Sequence, residues 1–219
     1  MHLAKKLVQH NRNRIRKINY KLNKVKDDTI ITERLQSDQS FVGGESTGLN
    51  GATILDYWQW AYSGIIGNTD RGNLAEFLVS RALGITDDVR NDWGDFDLTT
   101  EDGTKIEVKS SAYVQAWKQK KRYTPSFGIK KTLPTWDYSS ETRQRYADVY
   151  VFCLLAHLDK ETINPMDIGQ WEFYLLRTDD IEKEFGDAKS ISLKNLRTRS
   201  KQYSYSELKE AIKALASGS

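Results

Sequence analysis

Apolar and polar residues alternate along two short stretches in the middle of the chain, at 95–98 and at 105–109. This alternation is typical of strands that bury only one face. The two stretches flank a short polar segment that ends in Gly103, which predicts a hairpin with a three-residue turn. In the register set by such a turn, Asp97 lies directly opposite Glu107.

Other apolar patterns predict the elements around this hairpin. Apolar residues at helical spacing predict helices over 52–63, 70–83, 181–185 and 204–215, and the second begins at Asp70 and stops at Gly84. A continuous apolar run at 149–156 predicts a strand covered on both faces, which follows a helical crossover and pairs beside the hairpin. A further strand is predicted over 171–176. Ser110 or Ser111 is expected to cap a helix through Tyr113, Gln115 and Trp117.

The charge of the chain is distributed unevenly. Residues 1–26 carry nine basic and no acidic side chains, which leaves 24 basic and 30 acidic residues for the remainder. A heptad spacing of apolar residues predicts a basic helix over Leu3–Val25. We therefore divide the chain into a basic helical arm, 1–40, and a domain, 41–219. The arm is interpreted as a phosphate-binding element, with a solvated helix face and membrane-surface attachment as the alternatives.

Two basic clusters are candidates for nucleic-acid binding. One lies in the arm and the other follows the hairpin closely in sequence. Their members are Arg12, Arg14, Arg16 and Lys17, and Lys118, Lys120, Lys121 and Arg122.

Composition excludes several classes of protein. With 219 residues, the chain suits one domain with appendages. Cys153 is the only cysteine, so an intrachain disulfide and a cysteine-based zinc cluster are excluded. No apolar run approaches the ~20 residues of a membrane span, and the N-terminus lacks the apolar segment of a signal peptide. A cytoplasmic protein without membrane contact is expected.

The hairpin carries the candidate chemistry. Two carboxylates in direct opposition destabilise a strand pair unless a positive group lies between them, and a divalent cation together with Lys109 would meet this need. Mg²⁺ prefers oxygen ligands and is commonly held by one or two carboxylates. The alternative is a solvent-facing hairpin with a weak ion pair. Glu76, at the edge of the buried stripe of the preceding helix, is a further candidate.

These residues resemble the PD-(D/E)xK nuclease superfamily, and RGNLAEF, EVKSSAYVQAW, DVYVFCLLAH and QWEFYLL resemble a bacterial subgroup of it. The resemblance covers roughly 55–178. It implies an α/β fold with a restriction-endonuclease-like core, in which a mixed central sheet is flanked by helices in the order αβββαβ. Its signature falls on Glu76, Asp97, Glu107 and Lys109. Phe96 stands where the motif has proline, which leaves Asp95 as a second choice for Asp97.

The resemblance also implies roles for individual residues. Glu76, Asp97, Glu107, Lys109 and Gln115 are expected to be catalytic, although Gln115 is equally compatible with an exposed helix position. Mg²⁺ or Mn²⁺ is expected on Asp97, Glu107 and the backbone carbonyl of Val108. Glu76 is expected to bind a second metal or to position the attacking water.

The function expected from these features is metal-dependent endonucleolytic hydrolysis of DNA, with a duplex as substrate. Cutting both strands favours a twofold homodimer. The first alternative is a catalytically inactive nucleic-acid-binding or assembly protein on a nuclease-like fold. The second is a basic-helix adaptor for another protein.

Overall fold

A computed structural model describes residues 23–26, 29–44, 46–86, 89–135, 137 and 139–218, and only the backbone of 23–32. The chain divides into two compact units. The first ends at Trp60 and includes Val89, and the second comprises Ala61–Thr86 and Arg90–Ser219. In the first unit, strands β1 (Asn23–Lys26) and β2 (Thr29–Thr32) form an antiparallel pair. Helix α1 (Ile54–Tyr62) begins in that unit.

The second unit is built on a four-stranded mixed sheet. Its strands lie in the order β3 (Leu98–Thr99), β4 (Lys105–Ala112), β6 (Val149–Leu155) and β7 (Trp171–Arg177). The outer pairs are antiparallel, whereas β4 and β6 are parallel. Every residue of β6 is buried, as expected for a central strand that is covered on both faces.

Helices cover both faces of this sheet. On one face, α2 (Asn68–Leu83) and α5 (Leu208–Ala216) pack against the apolar side chains of β4, β6 and β7. On the other face lie α3 (Thr178–Phe185), α4 (Leu193–Arg197) and a two-stranded sheet of β5 (Ser126–Gly128) and β8 (Ser190–Ser192). Short 3₁₀ helices at Ile168–Gln170 and Tyr205–Glu207 precede β7 and α5.

Many of the predicted elements are confirmed, including a mixed sheet flanked by helices. The hairpin, the doubly covered strand and the strand after it are present, as are helices at 54–62 and 178–185. Gly84 ends α2 with a φ of +82°, as predicted, but the helix begins at Asn68 rather than Asp70. The last predicted helix comprises a 3₁₀ turn with a capping box at Ser204 and then α5.

The basic helix predicted over Leu3–Val25 is wrong at its end, because 23–26 is a strand. The partner strand is rich in β-branched residues (Thr29, Ile30, Ile31 and Thr32), which favour extended backbone over helix. The rest of the predicted arm helix lies outside the described residues.

The helix predicted through Tyr113, Gln115 and Trp117 is also wrong. Strand β4 continues to Ala112, which pairs with Leu155, and the segment after it is irregular. Side-chain hydrogen bonds hold this segment instead. The backbone N–H of Gln115 donates to the side-chain Oε1 of Gln119 at 2.9 Å, and Gln119 Nε2 donates to the backbone carbonyl of Tyr113 at 3.1 Å.

The αβββαβ order needs two corrections within the described residues. Between α2 and β3, the part of 85–97 that is described contains no strand, because the apolar alternation begins only at Phe96. Between β4 and β6, the crossover contains β5 instead of a helix, in a segment that carries Pro125 and Pro134. Among the described helices the longest, α2, has 16 residues, and none meets the requirements for crossing a bilayer.

Candidate active site

The hairpin of β3 and β4 has the predicted register. Leu98 pairs with Ile106 and Thr99 with Lys105, and the turn closes through a 2.9 Å hydrogen bond from the Gly103 N–H to the Thr100 carbonyl. Gly103 has a φ of +87°, the left-handed conformation that a three-residue turn requires. The same register, extended by one pair, places Asp97 opposite Glu107.

Asp97 is fixed at the start of the hairpin by two hydrogen bonds. Its backbone N–H donates to the Ile106 carbonyl at 3.0 Å, and its Oδ2 accepts from the backbone N–H of Val108 at 2.7 Å. One carboxylate oxygen therefore supports the strand. Among the described residues no hydrogen bond to Oδ1 is found, so this oxygen remains available to a ligand. The predicted use of the Val108 carbonyl stays a prediction.

Glu107 and Lys109 form an ion pair on one face of β4. Lys109 Nζ contacts Glu107 Oε1, and the two side chains are 32% and 17% exposed. Burial raises the pKa of Glu107, the attraction of Lys109 offsets part of this rise, and the charges of Asp97 and Glu76 add to it. A carboxylate with a raised pKa beside two others is typical of a site that accepts a cation.

Glu76 lies on α2 beside a buried stripe formed by Arg71, Ala75 and Val79. The guanidinium of Arg90 binds both of its carboxylate oxygens, with Nε at 2.6 Å from Oε2 and Nη2 at 2.9 Å from Oε1. Burial raises the pKa of Glu76, the hydrogen bonds from Arg90 oppose the rise, and the charge of Asp97 adds to it. Glu76, Asp97 and Glu107 therefore interact as one cluster.

Asp95, the competing choice for Asp97, is directed elsewhere. Its Oδ1 accepts a 2.7 Å hydrogen bond from the backbone N–H of Thr135, in the excursion that follows β5. Asp95 also does not contribute to the pKa shifts of Glu76 or Glu107, whereas Asp97 contributes to both. The geometry thus favours Asp97 as the hairpin carboxylate of the site.

The carboxylates of the cluster could hold Mg²⁺ through two side chains rather than three. In the part of the chain that the structure describes, no group of three or more His, Cys, Asp or Glu side chains is arranged to hold a metal ion. Two carboxylates do meet at the hairpin, and Asp97 Oδ1 and Glu107 Oε2 are not engaged in hydrogen bonds with described residues. Mg²⁺ is commonly held by one or two carboxylates and otherwise by water, so Asp97 and Glu107 suffice. Both oxygens of Glu76 are occupied by Arg90.

Gln115 is buried three residues beyond the end of β4. Its Nε2 donates to the Ala112 carbonyl at 2.7 Å, so the side chain closes the end of the strand that carries Glu107 and Lys109. This contact stabilises the C-terminal end of β4. The structure shows no contact between Gln115 and the carboxylate cluster, and its catalytic role stays a prediction.

The basic cluster after β4 is exposed. Lys118, Lys120, Lys121 and Arg122 all face solvent, and the following Tyr123 interacts electrostatically with Arg71. Arg71 Nε in turn donates to Ser110 Oγ at 3.2 Å, next to Lys109 in β4. The exposed basic segment therefore runs back towards the strand that carries the site. The other basic cluster, Arg12 to Lys17, lies outside the described residues.

Sequence reasoning missed two residues of the site. Arg90 lies in an irregular stretch with no periodicity that could link it to Glu76, 14 residues earlier. Tyr150 pairs with Glu107 in the β4–β6 register, and its pKa is raised by burial and by the charge of Glu107. Tyr150 was overlooked because it lies in the continuous apolar run of β6, although the predicted pairing of that strand beside the hairpin was the signal that could have found it.

The site lies within a segment that matches a known family. The family model for bacteriophage T4 endonuclease IV matches residues 59–195, more than half of the chain. Comparison with curated proteins gave no match. The matched segment contains the carboxylate cluster, Lys109, Gln115 and the exposed basic cluster, and it excludes the basic arm. The chain therefore belongs to the bacteriophage T4 endonuclease IV family, a family of nucleases.

Proposed function

We propose that this protein is a metal-dependent endonuclease that hydrolyses phosphodiester bonds in DNA, on a restriction-endonuclease-like core. The observation that carries the proposal is the meeting of Asp97, Glu107 and Lys109 on one hairpin, beside Glu76, within the segment that matches a nuclease family. Two carboxylates and a lysine in this arrangement suit phosphodiester hydrolysis, which needs an activated water and compensation of negative charge.

Asp97 and Glu107 would hold Mg²⁺ or Mn²⁺. What this ion supplies when bound is Lewis-acid stabilisation of the phosphate and a lower pKa for water. The backbone N–H of Val108 holds the Asp97 carboxylate in place, so the ligand geometry depends on the hairpin register. Lys109, on the same strand face as Glu107, would orient the water and offset the charge that develops on the phosphate oxygens. In the hydrolysis a bond forms between the water oxygen and phosphorus and the bond from phosphorus to the leaving oxygen breaks, while the water gives up one proton and the leaving oxygen takes one up.

The substrate would approach along the exposed basic segment after β4. Its four cations compensate for a carboxylate cluster that alone repels phosphate. The expectation of a duplex rests on the resemblance and on the basic arm, and no feature of the hairpin site itself selects a duplex over a single strand. Both forms of DNA therefore belong in the test, with RNA as a third substrate.

The test is a cleavage assay on plasmid, linear duplex, single-stranded DNA and RNA, with Mg²⁺, Mn²⁺ or EDTA. We expect cleavage of DNA that EDTA abolishes and that Lys109→Ala lowers by roughly a hundredfold or more. Lys105→Ala is the matched control, because Lys105 is exposed on the same strand and precedes Glu107 by two residues. It should cleave as the wild type does.

Two results would count against the proposal. Equal inertness of the wild type and Lys109→Ala towards all four substrates, with DNA binding retained by both, would favour a catalytically inactive binding protein. Cleavage that survives EDTA would exclude the metal from the mechanism.

A further inference from the structure

Arg90 lies at the rim of the carboxylate cluster, outside every motif of the sequence. We propose that Arg90 contacts the nucleic-acid substrate by binding a backbone phosphate, and that Glu76 is the carboxylate that positions it. This inference rests on the proposed nuclease function and assigns Glu76 a role other than metal binding.

The contact between the two side chains has a fixed geometry. Arg90 presents two N–H groups to the two oxygens of Glu76 at 2.6 and 2.9 Å, which is a bidentate pair with little rotational freedom. The Glu76 side chain is only 12% exposed, whereas that of Arg90 is 41% exposed. The carboxylate is therefore the inner partner on a helix, and the guanidinium is the outer partner that faces solvent.

Because both oxygens of Glu76 accept hydrogen bonds from Arg90, a metal ion at Glu76 would compete with the guanidinium for these oxygens. Removing a bidentate guanidinium from a partly buried carboxylate is costly, because burial already disfavours the charge of Glu76. Two other carboxylates, Asp97 and Glu107, suffice for the metal. The pair is therefore expected to persist when the metal binds.

The outer edge of Arg90 already holds an anion. Its Nη1 pairs with Asp92, whose side chain is 70% exposed. An ion pair this exposed contributes little to stability, so a phosphate of the substrate can replace the Asp92 carboxylate at small cost. Guanidinium groups bind phosphate in the same forked geometry in which they bind carboxylates.

A contact between Arg90 and a substrate phosphate would offset the negative charge of the carboxylate cluster. The charge of Asp97 reaches Arg90, so the guanidinium lies beside the carboxylate cluster. A phosphate that approaches three carboxylates is repelled. Lys109 is engaged with Glu107, and Arg90 places a second cation beside the carboxylate cluster.

The test measures DNA binding without metal, which does not depend on catalysis. A short fluorescein-labelled duplex and its single strand are titrated with full-length protein in EDTA, and fluorescence anisotropy gives the affinity. We expect Arg90→Ala to weaken binding by roughly tenfold and Arg90→Lys to restore part of the loss, since it keeps the charge without the fork. Arg143→Ala, at an exposed arginine outside the cluster, is the control that should bind as the wild type does.

Two further variants separate the positioning role of Glu76 from metal binding. If Glu76 positions Arg90, Glu76→Gln weakens DNA binding in EDTA although it removes a negative charge, and Asp92→Asn strengthens it because it removes the competitor of the phosphate. If Glu76 is instead a metal ligand, Glu76→Gln strengthens binding in EDTA and raises the Mg²⁺ concentration needed for cleavage. That second pattern overturns the proposal.

A double-mutant cycle in the cleavage assay completes the test. Glu76→Gln and Arg90→Ala should each lower cleavage, and the double variant should lose little more than Arg90→Ala alone, because the two residues act as one unit. Additive losses would contradict the positioning role. If the wild type cleaves none of the substrates, the nuclease proposal fails. The anisotropy measurements then decide alone whether Arg90 binds DNA. Active wild type with an unaffected Arg90→Ala would defeat only the Arg90 proposal.

Discussion

Glu107 is half-buried in a place where its own charge is disfavoured, and this has a consequence for stability. Its folded-state pKa is raised from the ordinary 4.5 by burial and by Asp97 and Glu76, and Lys109 offsets only part of the rise. Below pH 4.5 the carboxyl is protonated in both the folded and the unfolded states. As the pH rises above 4.5, the unfolded state gives up this proton first, so the stability contributed by this group falls and is lost once the pH has risen through the folded pKa.

We therefore expect Glu107→Gln to unfold at a higher temperature than the wild type at pH 7 in EDTA. The difference should shrink towards zero at pH 4, because glutamine resembles the protonated wild-type side chain. Thermal unfolding followed by circular dichroism between pH 4 and pH 8 measures it. Glu101→Gln, at an exposed position of the hairpin turn, is the control that should show no such trend. A destabilised Glu107→Gln at pH 7 would show that the pair with Lys109 outweighs burial.

At the scale of elements, helix α2 determines the position of Glu76 in the site. Gly84 ends this helix with a φ of +82°, and a Cβ placed there would meet no atom within 4 Å. Gly84→Ala should therefore lower the free energy of unfolding by about 1 kcal/mol, from the strain of the left-handed conformation alone. Gly72→Ala should have the opposite sign, a gain of roughly 0.5–1 kcal/mol, because Gly72 lies inside the helix with open space around it.

Urea unfolding of the two alanine variants and the wild type measures both effects. The pair is well matched, since each variant adds one methyl group to the same helix without a steric clash. A loss at both positions would mean that Gly72 meets a requirement other than helix propensity. A gain at both would mean that α2 does not end at Gly84.

Local signals predicted the elements of the site, whereas contacts between distant elements were beyond them. The Gly103 turn sets the hairpin register and Gly84 ends α2, and both are encoded within a few residues. The helix predicted through Gln115 was wrong because Ser110 and Ser111 suit a helix cap equally well as a strand, and pairing of β4 with β6 decided in favour of the strand. The contact of Arg90 with Glu76 depends on how an irregular segment folds back onto α2, which no periodicity records.

At the scale of the whole molecule, the excess of basic side chains lies in residues 1–26, outside the segment that carries the site. Apart from residues 1–26, the chain has six more acidic than basic side chains. Glu76, Asp97 and Glu107 form the carboxylate cluster. Three basic residues near the C-terminus, Arg197, Arg199 and Lys201, each pair with a glutamate. Affinity for a polyanion should therefore depend on a small number of basic side chains.

This leads to a prediction about salt dependence. Each phosphate contact releases condensed counterions, so the slope of log affinity against log salt concentration reports the number of contacts. Replacing four contacting cations by glutamine should reduce this slope by roughly 3 to 4 for duplex DNA. The first variant set comprises Arg12, Arg14, Arg16 and Lys17. The second comprises Lys118, Lys120, Lys121 and Arg122. The control set removes four exposed lysines, Lys183, Lys189, Lys209 and Lys213.

Anisotropy titrations from low to moderate salt give the slopes for the full-length proteins. If the arm binds the backbone of the substrate, the first set lowers the slope and weakens binding, while the control set changes neither. If binding is confined to the surface beside the hairpin, only the second set does so, and the arm has another role. Equal reductions in all three sets would show that net charge alone governs association, because a specific contact surface cannot respond equally to charges removed elsewhere.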